Sequence, residues 1–461
     1  MVNPLWPSAA IAAATGGTAY ASFDATGVAF DSREVGPGDL FVALKGEATD
    51  GHRFVGQALA QGAAGVLASE PVEAPHVRVA DTAAALDALG RGARARAAGK
   101  VIGVTGSVGK TSVKEALFQA LDRSAPGAAH RSLKSYNNHV GVPLSLARMP
   151  AETRYGVFEL GMNHAGELSV LTRLVRPHVA IVTAVALAHG AFFADEAAIA
   201  DAKGEIFQGL EPGGTAIIPY DSPHRDRLIA AARDHAGEIV TFGRSPAADV
   251  VARIALASGH GTILAVRLRG ADLSFTLAQP GDHWISNALG VLAAVEAVGG
   301  DLPAAGLALA EMEGLAGRGR RLMVPVRGGE ALLIDEAYNA NPASMRATLA
   351  VLGAEPARRR IAILGSMREL GPDEARHHAA LAGPIEAAKV DRAILVGPEM
   401  AALAEALRGR VDHVHVADAV QAAAQAQADL GAGDAVLVKG SNSVGLSRVI
   451  EALAQSRAEA A

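Results

Sequence analysis

The chain has 461 residues, a net charge of −6 from 42 basic and 48 acidic side chains, and no cysteine. Its length exceeds what one hydrophobic core holds and, at roughly 150 residues per domain, predicts about three. The acidic balance argues against a nucleic-acid binder, and the missing cysteines exclude disulfides, thiol nucleophiles and thiolate metal sites together.

Hydrophobic residues make up 50% of the chain, raised by alanine, but no uninterrupted apolar run reaches the ~18 residues of a membrane span. Residues 1–21 are apolar and rich in small side chains. The first Lys or Arg is Arg33, so the basic start of an export signal is missing, and Pro7-Ser8 is expected to cap a short helix that stops at Gly16-Gly17. A soluble, cytoplasmic protein is expected.

Residues 31–44 (DSREVGPGDLFVAL) contain the turn Pro37-Gly38 and a short buried strand at 40–44. Asp50-Gly51-His52, a helix near 54–61 and a strand at 65–68 follow. Ser32 and Arg33 suit a diphosphate or a nucleobase edge, because Arg offers a fork of donors and Ser a small hydroxyl; a surface turn accounts for them equally well. The basic run 91–100 (RGARARAAGK) reads as a solvated helix end and linker.

Residues 101–112 (VIGVTGSVGKTS) pass from an apolar strand through a glycine turn into a helical pattern. That order lets backbone N–H groups and a helix N-terminus converge on an anion. Gly106, Ser107, Val108, Gly109, Lys110, Thr111 and Ser112 form the candidate phosphate turn, with Lys110 reaching a nucleotide's terminal phosphates and the Thr111 hydroxyl ligating Mg2+. Val104 stands where the usual pattern has its first glycine, and an ordinary strand-to-helix turn is the bland alternative.

Asn137 and Asn138, in 135–143 (SYNNHVGVP), supply donors and acceptors for a substrate edge, or simply a turn. The strand at 155–160 places Glu159 near its carboxyl end, where ligands gather in open α/β sheets and Mg2+ finds an oxygen ligand. Another strand, 179–187, leads to His189, and a helix from about 197 carries Lys203 and Glu205. Neither His189 nor Lys203 acquires a role from its type alone. Strands at 215–218 and 239–242 follow, then an antiparallel addition over 250–277, then a helix from 283 in which Asn287 either caps or reads a base edge.

Residues 314–321 (GLAGRGRR) read as a linker. Beyond it, strands at 332–335, 361–364, 393–396, 414–416 and 435–438 alternate with apolar helices, which is a doubly wound pattern. Its first strand runs into Asp335-Glu-Ala-Tyr-Asn-Ala-Asn-Pro342, and its last into Lys439-Gly-Ser-Asn-Ser443. The expected units are 1–99, 100–317 and 318–461.

Together these segments resemble the Mur ligase family of bacterial cell-wall synthesis. DSREVGPGDLFVALKGEATDGHRF is similar to its amino-terminal domains, TGSVGKTS to its phosphate turn, and DEAYNANP to the branch that joins D-alanyl-D-alanine to a UDP-N-acetylmuramoyl-tripeptide. The resemblance implies an α/β protein of three domains: a smaller N-terminal α/β domain, a central P-loop ATPase-like parallel sheet and a C-terminal Rossmann-like domain. It implies an ATP-dependent ligase with these two small-molecule substrates, working through an acyl phosphate, as a monomer without nucleic acid or membrane insertion. Glu159 and His189 look like Mg2+ ligands, and Lys203, in AKGEIF, like a lysine that is carbamoylated. Arg318 would approach the γ-phosphate, while Asn287, Asp335, Tyr338 and Asn339 would touch the nucleotide. Ser32 and Arg33 resemble the uridine diphosphate contacts and Asn137 with Asn138 the muramoyl-peptide contacts, with Lys439 and Ser441 on the dipeptide side. A sibling ligase adding a single amino acid, a folylpolyglutamate synthetase, and a nucleotide-switched binding protein are the competing readings.

Overall fold

The computed structural model describes residues 4–46, 49–187, 191–258 and 261–459. Among them a five-stranded, a nine-stranded and a six-stranded sheet follow one another along the chain, beside one pair of two-residue strands.

In the first sheet, the strands Gly27–Ala29, Asp39–Val42, Gly65–Ala68 and His76–Arg78 lie parallel, with Thr18–Ala19 antiparallel at one edge. Both faces are covered, which is why GVLA reads as a continuous apolar run. The helix Ser8–Thr15 starts after Pro7 and ends at Gly16 in the left-handed conformation, as expected.

The helix Thr82–Arg96 begins where Asp81 accepts hydrogen bonds from the amides of Ala83 and Ala84. Its Leu86, Leu89 and Ala93 share one apolar cluster with Leu144 and Ala147 of the helix Gly141–Ala147. The run 91–100 is therefore no solvated linker. Arg94 is buried and donates to the carbonyls of Val175 and Arg176 and to Glu211, while the Arg96 guanidinium lies over the Trp6 ring. A buried guanidinium is tolerated because several of its donors are satisfied.

The second sheet is ordered Asp272–Leu277, Gly261–Arg267, Val250–Ser258, Glu238–Gly243, Thr215–Pro219, Val179–Val182, Lys100–Thr105, Tyr155–Glu159, Ala129–Arg131. The first two of these strands are antiparallel additions at the edge, and the rest are parallel. The strand expected over 179–187 stops at Val182. Beyond it, Thr183, Ala184 and Ala186 hydrogen-bond to Ser107 and Val108 of the turn.

The third sheet is parallel through Gly329–Glu336, Ala435–Lys439, Arg360–Gly365, Arg392–Val396 and Asp412–Val416, with apolar clusters on both faces. Residues 320–321, read as linker, instead open an edge strand, Arg320–Val326, antiparallel to Gly329–Glu336. No helix among the described residues is long and apolar enough to cross a membrane.

Candidate active site

The strand Lys100–Thr105 has Tyr155–Glu159 on one side and Val179–Val182 on the other. Its successors in the chain therefore lie on both sides of it, a switch point at whose carboxyl edge a crevice opens. Two glycines shape the turn that follows. A Cβ on Gly106 would sit 1.9 Å from Thr183 Oγ1, and Gly109, at φ 86°, would meet Asn287 Oδ1 at 2.7 Å. Ser107 and Val108 are anchored from the segment after Val182: Ser107 N donates to Ala184 O, Ser107 Oγ to Ala186 O, and Thr183 Oγ1 to Val108 O.

The helix Lys110–Ser124 starts at Gly109 with no side-chain cap. Its first amides are open donors, and they face a cavity of about 500 Å3 between the second and third sheets. Lys110 Nζ donates to Gly106 O at 2.6 Å. Burial pushes its ammonium pKa down and Arg318 adds to this, while Glu159 opposes both.

Glu159 ends its strand and is 1% exposed. Thr111 Oγ1 donates to its Oε2 at 2.9 Å and Asn137 Nδ2 to its Oε1 at 2.7 Å, which offsets the cost of burying a carboxylate. Ser135 Oγ lies 3.3 Å from Thr111 Oγ1 and accepts from Arg318 Nη2 at 3.3 Å. The Arg318 guanidinium lies 4.3 Å over the Tyr338 ring.

Of the residues singled out from sequence, Ser107, Val108, Gly109, Lys110, Thr111, Ser112, Asn137, Glu159, Asn287, Arg318, Tyr338, Asn339 and Lys439 line this one cavity. Gly106 lies behind the turn. Lys203 is 2% exposed and has no hydrogen bond or ion pair among the described residues; burial, then the charge of Lys110, push its ammonium pKa well down. Asp335 does not line the cavity. Its buried carboxylate accepts from Gly317 N, Arg320 Nη2 and Ala337 N, and so fixes the crossing segment that carries Arg318.

Asn138 caps the helix Gly141–Ala147 by accepting from the amides of Val140 and Gly141. Ser441 Oγ accepts from Arg368 N, one step behind the cavity wall. Ser32 and Arg33 stand apart, in the first sheet's domain: Ser32 Oγ donates to Gln57 Oε1, and the largely exposed Arg33 clasps Asp31 with two hydrogen bonds. His189 lies outside the described residues.

Among the cavity residues that were assigned no role from sequence are Ser135 and Glu336. Ser135 immediately precedes the Tyr-Asn-Asn segment, and Glu336 follows Asp335 at a strand's carboxyl end; those positions were the available signal. Trp284 is packed into the second sheet's core and also lines the cavity.

A phosphate turn at a switch point, facing a second α/β sheet across a polar cavity, defines a nucleotide-dependent enzyme of two-walled design. Residues 24–102 match the Mur ligase family catalytic domain, 104–295 the Mur ligase middle domain, and 320–442 the Mur ligase glutamate ligase domain. The chain belongs to the Mur ligase family. It is 35% identical over 433 residues to UDP-N-acetylmuramoyl-tripeptide--D-alanyl-D-alanine ligase of Escherichia coli, covering 93% of this chain and 94% of that protein. Among solved structures, MurF from Acinetobacter baumannii superposes with a TM-score of 0.85 at 30% identity, over 98% of this chain and 100% of that one. MurF ligase from Thermotoga maritima in complex with ADP gives 0.78 at 25% identity, over 94% and 98%.

Proposed function

We propose that the chain is an ATP-dependent ligase that joins D-alanyl-D-alanine to a UDP-N-acetylmuramoyl-tripeptide, forming ADP, phosphate and the UDP-linked pentapeptide of peptidoglycan precursor synthesis. The observation that carries this reading is the convergence of an uncapped helix N-terminus, Lys110, Arg318 and Glu159 on one cavity between two sheets. The curated relatives of that name, matched over most of their length, support the choice of substrates.

A carboxylate is a poor acyl donor, so its oxygen first takes the γ-phosphoryl group and ADP leaves; the amine then displaces phosphate from the acyl carbon. Lys110 and the first amides of its helix hold the phosphates, and Arg318, kept by Tyr338 and Ser135, faces the charge that develops in transfer. Asn287 and Asn339, which line the same cavity, are assigned to the rest of the nucleotide. The domain of residues 1–99, with Ser32 and Arg33, is assigned to the uridine diphosphate end, and residues 100–317 and 318–461 to the ATP and dipeptide ends. ATP as co-substrate supports a cytoplasmic location.

The Thr111 hydroxyl and the Glu159 carboxylate, 2.9 Å apart at the cavity wall, form an oxygen donor set of the kind Mg2+ takes. Bound there, Mg2+ supplies positive charge to the β- and γ-phosphates. Lys203 suits carbamoylation: burial disfavours its ammonium, the neutral amine is the form that reacts with carbon dioxide, and the product is a carboxylate-like anion able to serve a cation that an ammonium would repel.

A coupled ADP-release assay over a panel of UDP-peptides and dipeptides tests the function. ADP release is expected to require both a UDP-muramoyl-tripeptide and D-alanyl-D-alanine. Equal turnover with neither, or a preference for single amino acids, would replace this reading with one of its competitors.

A further inference from the structure

The cavity holds a carboxylate that the mechanism so far leaves idle. Glu336 ends the strand Gly329–Glu336 and is paired in register with Lys439 at the end of Ala435–Lys439, so both side chains stand at the carboxyl edge of the third sheet. Lys439 Nζ is shared between two acceptors. It donates to Asn339 O at 2.9 Å and only reaches Glu336 Oε2 at 3.5 Å. Glu336 Oε1 has no hydrogen-bond partner among the described residues, and the side chain keeps 17% of its surface open.

Glu159, on the opposite wall, makes a contrast. Both of its oxygens are already engaged, by Thr111 and Asn137. Glu336 is instead an under-partnered carboxylate on a wall that also presents Arg318, Arg368, Lys439 and a second carboxylate, Glu369. A phosphate or a carboxylate gains nothing from it. The reactant that does is the one carrying an ammonium.

We propose that Glu336 is a catalytic residue that receives the ammonium of the incoming amine substrate and takes one of its protons. This rests on the ligase reading above. The nitrogen gives a proton to the Glu336 carboxylate, its freed lone pair forms the C–N bond to the acyl carbon, and the C–O bond to phosphate breaks. The second proton lost by nitrogen leaves with the phosphate. The groups facing Glu336 are Lys439, Arg318, Asp335 and, through Lys439, His283. Burial, the largest influence, pushes the Glu336 carboxyl above its ordinary range and makes it a better proton acceptor, while Lys439 and Arg318 pull the other way.

The test is single-turnover acid quench on the full-length enzyme with ATP, UDP-muramoyl-tripeptide and D-alanyl-D-alanine, comparing wild type, Glu336→Gln and Glu336→Asp. In Glu336→Gln, ADP should still form in a burst while amide formation slows about 100-fold. The slow step should then speed up about tenfold per pH unit as free amine replaces ammonium in solution. Glu336→Asp should recover part of the rate and the flatter pH profile. If ADP and amide slow in parallel, or if Glu336→Gln keeps the wild-type pH profile, Glu336 only supports the strand ends and the proposal fails. If wild type itself forms no ADP that depends on the UDP-peptide, the ligase reading has failed instead.

Discussion

The Thr111 hydroxyl donates to the Glu159 carboxylate at 2.9 Å, joining residues that stand 48 apart in sequence. Thr111 has one proton and spends it there, so the Ser135 hydroxyl, 3.3 Å away, is the donor to Thr111 and the acceptor from Arg318. A directed chain runs from the guanidinium at the third domain's border through two hydroxyls to the buried Glu159 carboxylate. Ser135→Ala cuts this chain without emptying the core. Turnover should fall about tenfold with little change in melting temperature, as a loss of about 1.4 kcal/mol of orientation. Steady-state kinetics with varied ATP would show it, and unchanged constants would mean the chain is incidental.

Lys110→Ala removes the cation from the phosphate turn. Turnover should drop about 100- to 1,000-fold. Stability should hold, because burial already disfavours the charged form of this side chain. Thermal melting beside the ADP assay checks both halves, and a variant with full turnover would exclude the phosphate role.

Lys203→Ala should abolish most activity, and formate or acetate should restore part of it. Carbon dioxide adds only to the neutral amine, which burial and Lys110 favour here. Activity of wild type should therefore fall in carbonate-free buffer at mildly acidic pH and return with bicarbonate. An unmodified amine found by native intact mass in fully active enzyme would remove the carbamate from the account.

His130 sets a pH dependence of stability. Its Nε2 sits 2.8 Å from Ser145 O, and burial pushes its pKa down to about 4. Between the ordinary value of 6.5 and that figure, the unfolded chain holds a proton the folded one lacks. The stabilisation is thus complete above pH 6.5 and is lost as pH falls toward 4, by about 3 kcal/mol in all. Urea unfolding of wild type and His130→Gln at pH 7 and pH 5 should show their difference shrinking by about 2 kcal/mol. Parallel curves would count against the buried neutral imidazole.

Local chemistry explains what could be read early. Glycines at 106 and 109 are dictated by close approach, so a turn motif announces them. Val104, which seemed to break the pattern, belongs to the strand and is packed in the second sheet's core, so the motif's first glycine has no position to fill there. Glu159 was legible as the last residue of an apolar strand. Arg94 was not, since a basic run looks solvated until the carbonyls of Val175 and Arg176 arrive from 81 and 82 residues away. The strand Arg320–Val326 was hidden for a similar reason: its glycine- and arginine-rich start looks like a hinge, and only pairing with Gly329–Glu336 makes it an edge. Glu336 and Ser135 matter through what they face across the cavity, which no local pattern records.

The apolar cluster shared by the helices Thr82–Arg96 and Gly141–Ala147 has a consequence for how the molecule can be taken apart. A fragment ending near residue 99 would lose the cover that Leu144 and Ala147 give to this cluster, and Trp6 would lose its bond to Ala147 O. Cutting the chain there opens a core that the first two domains share. The first domain is therefore fastened to the second by packed apolar surface and cannot be lifted away without opening that core.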